Sequence, residues 1–178
     1  MAASFADREG APDRPLIVRA SHMLVKVELA FCRLLIVAFA TLLVVNVAKR
    51  YLFNAPIYFA EELAVYILIW MAFLAIAATV ARREMIALTF AVDALPAQVR
   101  RVIDLAVIGT TLAIAVLLLV VSWQWLFSPA VRFEQALTLG IAKRPFLAIV
   151  PIFFTLISFH LVANMVERWR EGAPGAAA

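Results

Sequence analysis

The side chains of this sequence that could do chemistry are few, and the most conspicuous lie where a charge is expensive. Apart from a glutamate pair described below, its long apolar stretches hold only Arg33, Asp104 and His160 within their bounds. Ionisable groups inside a bilayer are costly, so these are the first places to look for an ion path, a proton relay or a ligand site. Arg33 and Asp104 fall at similar depths on the expected cytoplasmic side. They either form an ion pair there or act separately, Arg33 snorkelling to the headgroups and Asp104 capping its helix at the interface. His160 is either a haem ligand, with His22 as the other histidine, or a packing histidine hydrogen-bonded near Ser158 or Asn164.

The most pointed constellation is Ala60-Glu61-Glu62-Leu63-Ala64, shortly after Pro56. Two carboxylates in the first turn of a helix suit the amide end of its dipole, and Lys49 and Arg50 at the end of the preceding helix compensate them. A capped helix start is therefore one reading, and a docking point for another subunit is the other. Behind the pair, Ala64, Ala72, Ala75 and Thr79 make a stripe of small residues at helical spacing, the pattern that permits close helix packing in membranes. Tyr66, Trp70 and Phe73 are expected on the opposite flank, presenting bulk to lipid or to a neighbour. Further along, Arg132, Glu134, Lys143 and Arg144 gather in one extramembrane segment. Ser21, Ser122 and Ser158 have no Gly-x-Ser-x-Gly elbow, there is no His-Glu-x-x-His, and five glycines form no phosphate loop. Neither an enzyme nor a bound cofactor or metal is expected.

The elements that must carry these residues are apolar runs. No Asp, Glu, Lys or Arg occurs over 63–81, 105–127 or 145–166, and the run 29–48 contains only Arg33. Each is long enough to cross a hydrocarbon core, which takes roughly 20 helical residues. Hydrophobic residues make up 66% of the 178, well above the roughly 45–50% of soluble domains. An open sheet would leave edge amides unpaired in lipid, and these runs are continuous rather than alternating. The fold expected is an all-α integral membrane protein with four transmembrane helices, at about 29–48, 60–81, 103–127 and 145–166.

Around the spans, 1–15 reads as a disordered polar tail, 16–170 as one four-helix membrane domain and 171–178 as a flexible tail. Residues 16–26 fit a short interfacial helix or an extension of the first span, and 84–98 fit a second interfacial helix between spans two and three. The single cysteine, Cys32, excludes a disulfide framework.

With both termini in the cytoplasm, Arg8, Arg14, Arg19, Lys26, Arg82, Arg83, Arg100, Arg101, Arg168 and Arg170 lie inside, against Lys49, Arg50, Arg132, Lys143 and Arg144 outside. That bias is the positive-inside rule. The net charge of +4 calls for anionic headgroups and not nucleic acid, because the basic residues flank spans.

Order and spacing add a resemblance. Arg50-Tyr51-Leu52-Phe53-Asn54-Ala55-Pro56 leads into Ala60-Glu61-Glu62-Leu63-Ala64 and Ile69-Trp70-Met71-Ala72-Phe73-Leu74. Arg82-Arg83, Ile86, Leu95-Pro96 and a last span with Pro145 and Pro151 follow. Over roughly 24–168 the chain resembles the DctQ-like small membrane subunit of tripartite ATP-independent periplasmic (TRAP) transporters. It departs in having Met85, Thr89 and Ala75 where members often have a histidine, an acidic residue and a glycine. The resemblance implies a scaffold for a large membrane subunit, which would hold any sodium and substrate sites. It also implies a docking platform for a periplasmic binding protein that captures an organic anion, and residence in a bacterial inner membrane. Lys49, Arg50, Glu61, Glu62, Ala64, Ala72, Ala75, Arg132, Glu134, Lys143 and Arg144 are the expected interface residues. The alternatives are a self-sufficient four-helix exporter, for which Glu28 at the edge of the first span is the only acidic group on offer, and a haem- or quinone-linked membrane anchor.

Overall fold

The computed structural model of the protein describes residues 15–82 and 97–171. Six helices occur among them: α1 Leu16–Phe53, α2 Ala60–Arg82, α3 Ala97–Leu126, α4 Pro129–Arg132, α5 Arg144–Leu147 and α6 Ile149–Glu171. Four of these segments are long and apolar enough to span a membrane: α1, α2, residues Val102–Leu126 of α3, and α5 with α6. The protein is an all-α, multi-pass membrane protein, with all four expected spans in place.

The short interfacial helix expected over 16–26 is not a separate element. It forms the first turns of α1, which runs unbroken for 38 residues, about 57 Å at 1.5 Å per residue. No glycine or proline interrupts 16–53. The buried positions Val18, Ser21, Val25, Glu28 and Cys32 recur at helical spacing, so the extension packs against the bundle. Val25 meets Ala78 and Ala81 of α2, and Cys32 meets Leu74 of α2 and Ile149 of α6. The second interfacial helix, expected over 84–98, falls almost wholly outside the described residues, as do the tail 1–14 and residues 172–178.

The helices are arranged in the order α1, α2, α6, α3. Helix α2 packs on α1 and α6, α6 on α3, and α1 meets α6 over a shorter length. Helix α6 is the most buried span and α1 and α3 the least. Its core partners are small residues and rings: Ala77 and Val80 of α2 and Ala115 of α3 close on Phe153, Ile157 and Leu161. Within lipid there is no hydrophobic drive between helices, so such contacts hold by dispersion and interhelical hydrogen bonding. Pro151 lacks the N–H that would bond the Leu147 carbonyl, which accounts for the break between α5 and α6 at Ala148.

The ring-bearing flank of α2, expected to present its bulk to lipid or to a neighbour, packs inside the bundle. Tyr66 is buried, and Trp70 and Phe73 are half-buried. Tyr66 stacks on Phe146 at 4.3 Å, Phe73 meets Phe153 edge-on at 4.8 Å, and the Trp70 indole N–H donates to the Phe146 carbonyl at 2.9 Å. Of the small stripe, Ala64 is buried within the chain, whereas Ala72, Ala75 and Thr79 are exposed. Rings gain more contact than methyl groups, and Tyr and Trp carry a polar handle that needs a partner, so the aromatic side takes the interior.

Candidate functional site: the loop end of the bundle

The α1–α2 and α3–α6 connections lie at one end of the bundle, and most of the expected interface residues collect there. Helix α1 stops where Asn54 adopts a left-handed backbone (φ 48°), its N–H returning to the Lys49 carbonyl, the usual way an α-helix ends on asparagine or glycine. The following strand of chain is held by Asn46, a buried polar residue of the first span. Its amide oxygen accepts the Ile57 N–H at 2.9 Å. These two bonds turn the chain back into α2 and bring Arg50 onto Glu61 at 3.1 Å, both side chains well exposed.

Glu62 does something different. Its Oε1 accepts the Tyr66 hydroxyl and the Leu137 N–H, each at 3.1 Å, and its Oε2 accepts the Thr138 N–H at 2.8 Å together with the Thr138 hydroxyl. One carboxylate thus anchors the far tip of the α3–α6 connection to the start of α2. The connection is itself organised: α4 is followed by an isolated antiparallel bridge between Gln135 and Ala142. Ala136 N–H donates to Ile141, and Gly140 N–H to Ala136, at 2.9 Å. Gly140 has φ 66°, the one place in this turn where the absence of a Cβ is required. Val131 and Ala136 are the buried residues of this connection.

The remaining expected residues decorate this scaffold. Glu134 and Lys143 face each other at 3.8 Å, the Arg144 guanidinium lies 4.4 Å from the centre of the Phe127 ring, and Lys49 and Arg132 are exposed. Between them the surface presents large apolar side chains: Tyr51, Leu52, Phe53, Tyr58 and Phe133, with Leu137 at the tip 94% exposed. The structure therefore brings Lys49, Arg50, Glu61, Glu62, Arg132, Glu134, Lys143 and Arg144 to one end. Ala72 and Ala75 face outward further down α2, and Ala64 faces inward.

Near the other end the expected pairs change partners. Arg33 and Asp104 do not meet: Asp104 of α3 pairs with Arg168 of α6, and Arg33 is exposed on α1. The reason is helix order, since α6 lies beside α3 and α1 has no extended contact with it. His160 likewise bonds neither Ser158 nor Asn164. Its Nδ1 is 2.7 Å from Ser21 Oγ and its Nε2 3.0 Å from Glu28 Oε1. All three residues are buried, His160 at 0% and Ser21 and Glu28 at 3% exposed. Both ring nitrogens are thus engaged by side chains of α1. Among the described residues no group of three or more His, Cys, Asp or Glu side chains is placed to hold a metal ion.

Sequence reading missed Asn46, Thr138 and the Ser21–Glu28–His160 network. Asn46 is the one polar amide in an otherwise apolar stretch of span one, a signal that was available. Thr138 had none, because its role comes from a contact 76 positions away.

No curated protein matches the chain. A family model does, over residues 39–171: tripartite ATP-independent periplasmic transporters, DctQ component. The match takes in α2, α3, α6 and the last 15 residues of α1, including the whole loop end with its Glu62 anchor, and on that extent the chain belongs to the DctQ family, the small permease component of TRAP transporters.

Proposed function

We propose that this subunit serves a TRAP-type importer of an organic anion by two separate surfaces. The lipid-spanning faces of α1, α2 and α3 enlarge the static part of a large membrane subunit. The loop end is the platform on which a periplasmic binding protein docks. The observation that carries the reading is the Glu62 anchor. It ties the α3–α6 connection to α2 and so sets a fixed surface of apolar side chains rimmed by Lys49, Arg50, Arg132, Lys143 and Arg144. Basic rims speed and orient encounter with an acidic partner more than they add affinity. Substrate and coupling ion are assigned to the large subunit, because among the described residues the buried Glu28 is engaged with His160 and the half-buried Asp104 with Arg168.

In this reading both termini are cytoplasmic and the loop end is periplasmic in a bacterial inner membrane, following the basic-residue bias. The deciding experiment is affinity purification of the tagged chain from its native membrane in mild detergent, with mass spectrometry of what accompanies it. Near-stoichiometric recovery of a large polytopic membrane protein is the expected result. Recovery of this chain alone, active in transport after reconstitution, would overturn it. Orientation has its own check in a Cys32→Ala background: Thr138→Cys should label with an impermeant maleimide from the periplasmic side.

A further inference from the structure

Arg33 stands out against two matched pairs in the same half of the bundle, Glu28 with His160 and Asp104 with Arg168. Arg33 is exposed and has no hydrogen-bond or ion-pair partner among the described residues. We infer that Arg33, with the open surface over Ala30, is a binding site for the phosphodiester group of a membrane phospholipid.

Depth supports this first. Counting back from Arg50 at the loop end, a hydrocarbon layer of about 30 Å takes about 20 residues of helix and ends near Ala30. The Arg33 backbone is then about one turn inside the layer, within reach of the headgroups for an extended arginine. Direction supports it next. Helical side chains lean toward the N-terminus, so the Arg33 stem runs over position 30 toward the terminal end of α1. Ala30 is small and exposed, which leaves that stretch of helix open for a headgroup to settle against the guanidinium. Periodicity extends the site: Arg19, Lys26 and Arg33 are all exposed and recur every seven residues, on one face, in steps of about 10.5 Å. Lys26 and Arg33 so bracket the plane where phosphates lie.

A phosphate suits this place better than a carboxylate from another helix. The carboxylate would also have to leave water, and a pair of desolvated charges recovers that cost only with excellent geometry. Lipid phosphates already occupy the plane, and two of their oxygens fit the arginine fork.

Native mass spectrometry of the full chain in detergent tests the site. The probes are phosphatidylglycerol and a diacylglycerol with the same acyl chains. The wild-type chain should retain the first phosphatidylglycerol and release the diacylglycerol. Arg33→Gln should weaken that retention about fivefold, which corresponds to the roughly 1 kcal/mol a basic residue contributes near an anionic surface. Ala30→Phe, which fills the open surface and leaves every charge in place, should weaken it as well. Arg132→Gln, at the loop end, should not. Retention unchanged in both Arg33→Gln and Ala30→Phe overturns the site, and so does equal retention of the two lipids by the wild-type chain. Unchanged lipid retention in Arg33→Gln, together with loss of a co-purifying membrane protein, overturns it in favour of a carboxylate on that partner.

Discussion

The Glu28 carboxylate and the His160 imidazole, 132 positions apart, meet at 3.0 Å with neither exposed to solvent. Ser21 occupies the other side of the ring, and Glu28 Oε2 has no hydrogen-bond partner among the described residues. This network fixes the register of the long α1 against α6, since a slip of one residue would carry Ser21 and Glu28 off that face together.

His160→Leu should therefore be severe, because it strands a buried glutamate; removing one partner of a buried pair costs about 3–5 kcal/mol. His160→Leu combined with Glu28→Leu should recover most of the loss, giving strongly non-additive melting of the purified chain in detergent. Additive effects would mean that the two side chains do not act as a unit.

Glu62→Ala should release the tip of the α3–α6 connection without unfolding the bundle. Hydrogen exchange should speed up at the Leu137 and Thr138 amides, whose acceptor is the Glu62 carboxylate, and change little at Ala136 and Gly140, whose acceptors lie within the turn itself. On the proposed function the same variant lowers uptake through looser assembly, whereas Glu61→Ala, which removes only an exposed pair with Arg50, is mild.

The partner of Asp104 can be read by charge reversal. Asp104→Arg should destabilise the chain and Arg168→Asp should restore it in the double variant, with single losses of up to about 1 kcal/mol for a pair this close to the surface. Arg33→Gln should leave thermal stability in detergent at or above the wild-type value, since no hydrogen bond or ion pair among the described residues is lost. A drop equal to that of Asp104→Arg would restore the Arg33–Asp104 pairing.

The two faces of α2 separate folding from assembly. Ala64→Leu should lower the melting temperature of the isolated chain, because Ala64 is 5% exposed and an inserted isobutyl group typically costs about 1–3 kcal/mol in a packed interior. Ala75→Leu should leave that melting temperature unchanged. If the exposed face meets the large subunit, Ala75→Leu should also reduce co-purification of that subunit; unchanged recovery would remove Ala75 from the interface.

Continuous apolar runs fixed the number and order of the spans, because every backbone polar group in lipid must be satisfied within its own helix and only about 20 residues do that. The glutamate pair at 61–62 marked the start of α2 and the end of the molecule where most of the expected interface residues gather. These are local or one-dimensional properties, carried by composition and spacing.

Which side chains touch depended on how the helices are ordered, and no single span encodes that. Placing α6 beside α3 gave Asp104 to Arg168 and left Arg33 facing outward. Placing α6 also against α1 gave His160 to Ser21 and Glu28, and drew the first turns of α1 into the bundle. Nearly every residue of α2 is apolar, so its sequence pattern does not by itself separate a core face from a lipid face, and the expectation that the rings point outward rested on the spacing of the small residues alone. The inward turn of Tyr66, Trp70 and Phe73 was decided by Phe146 and Phe153, residues that only the folded chain brings within reach.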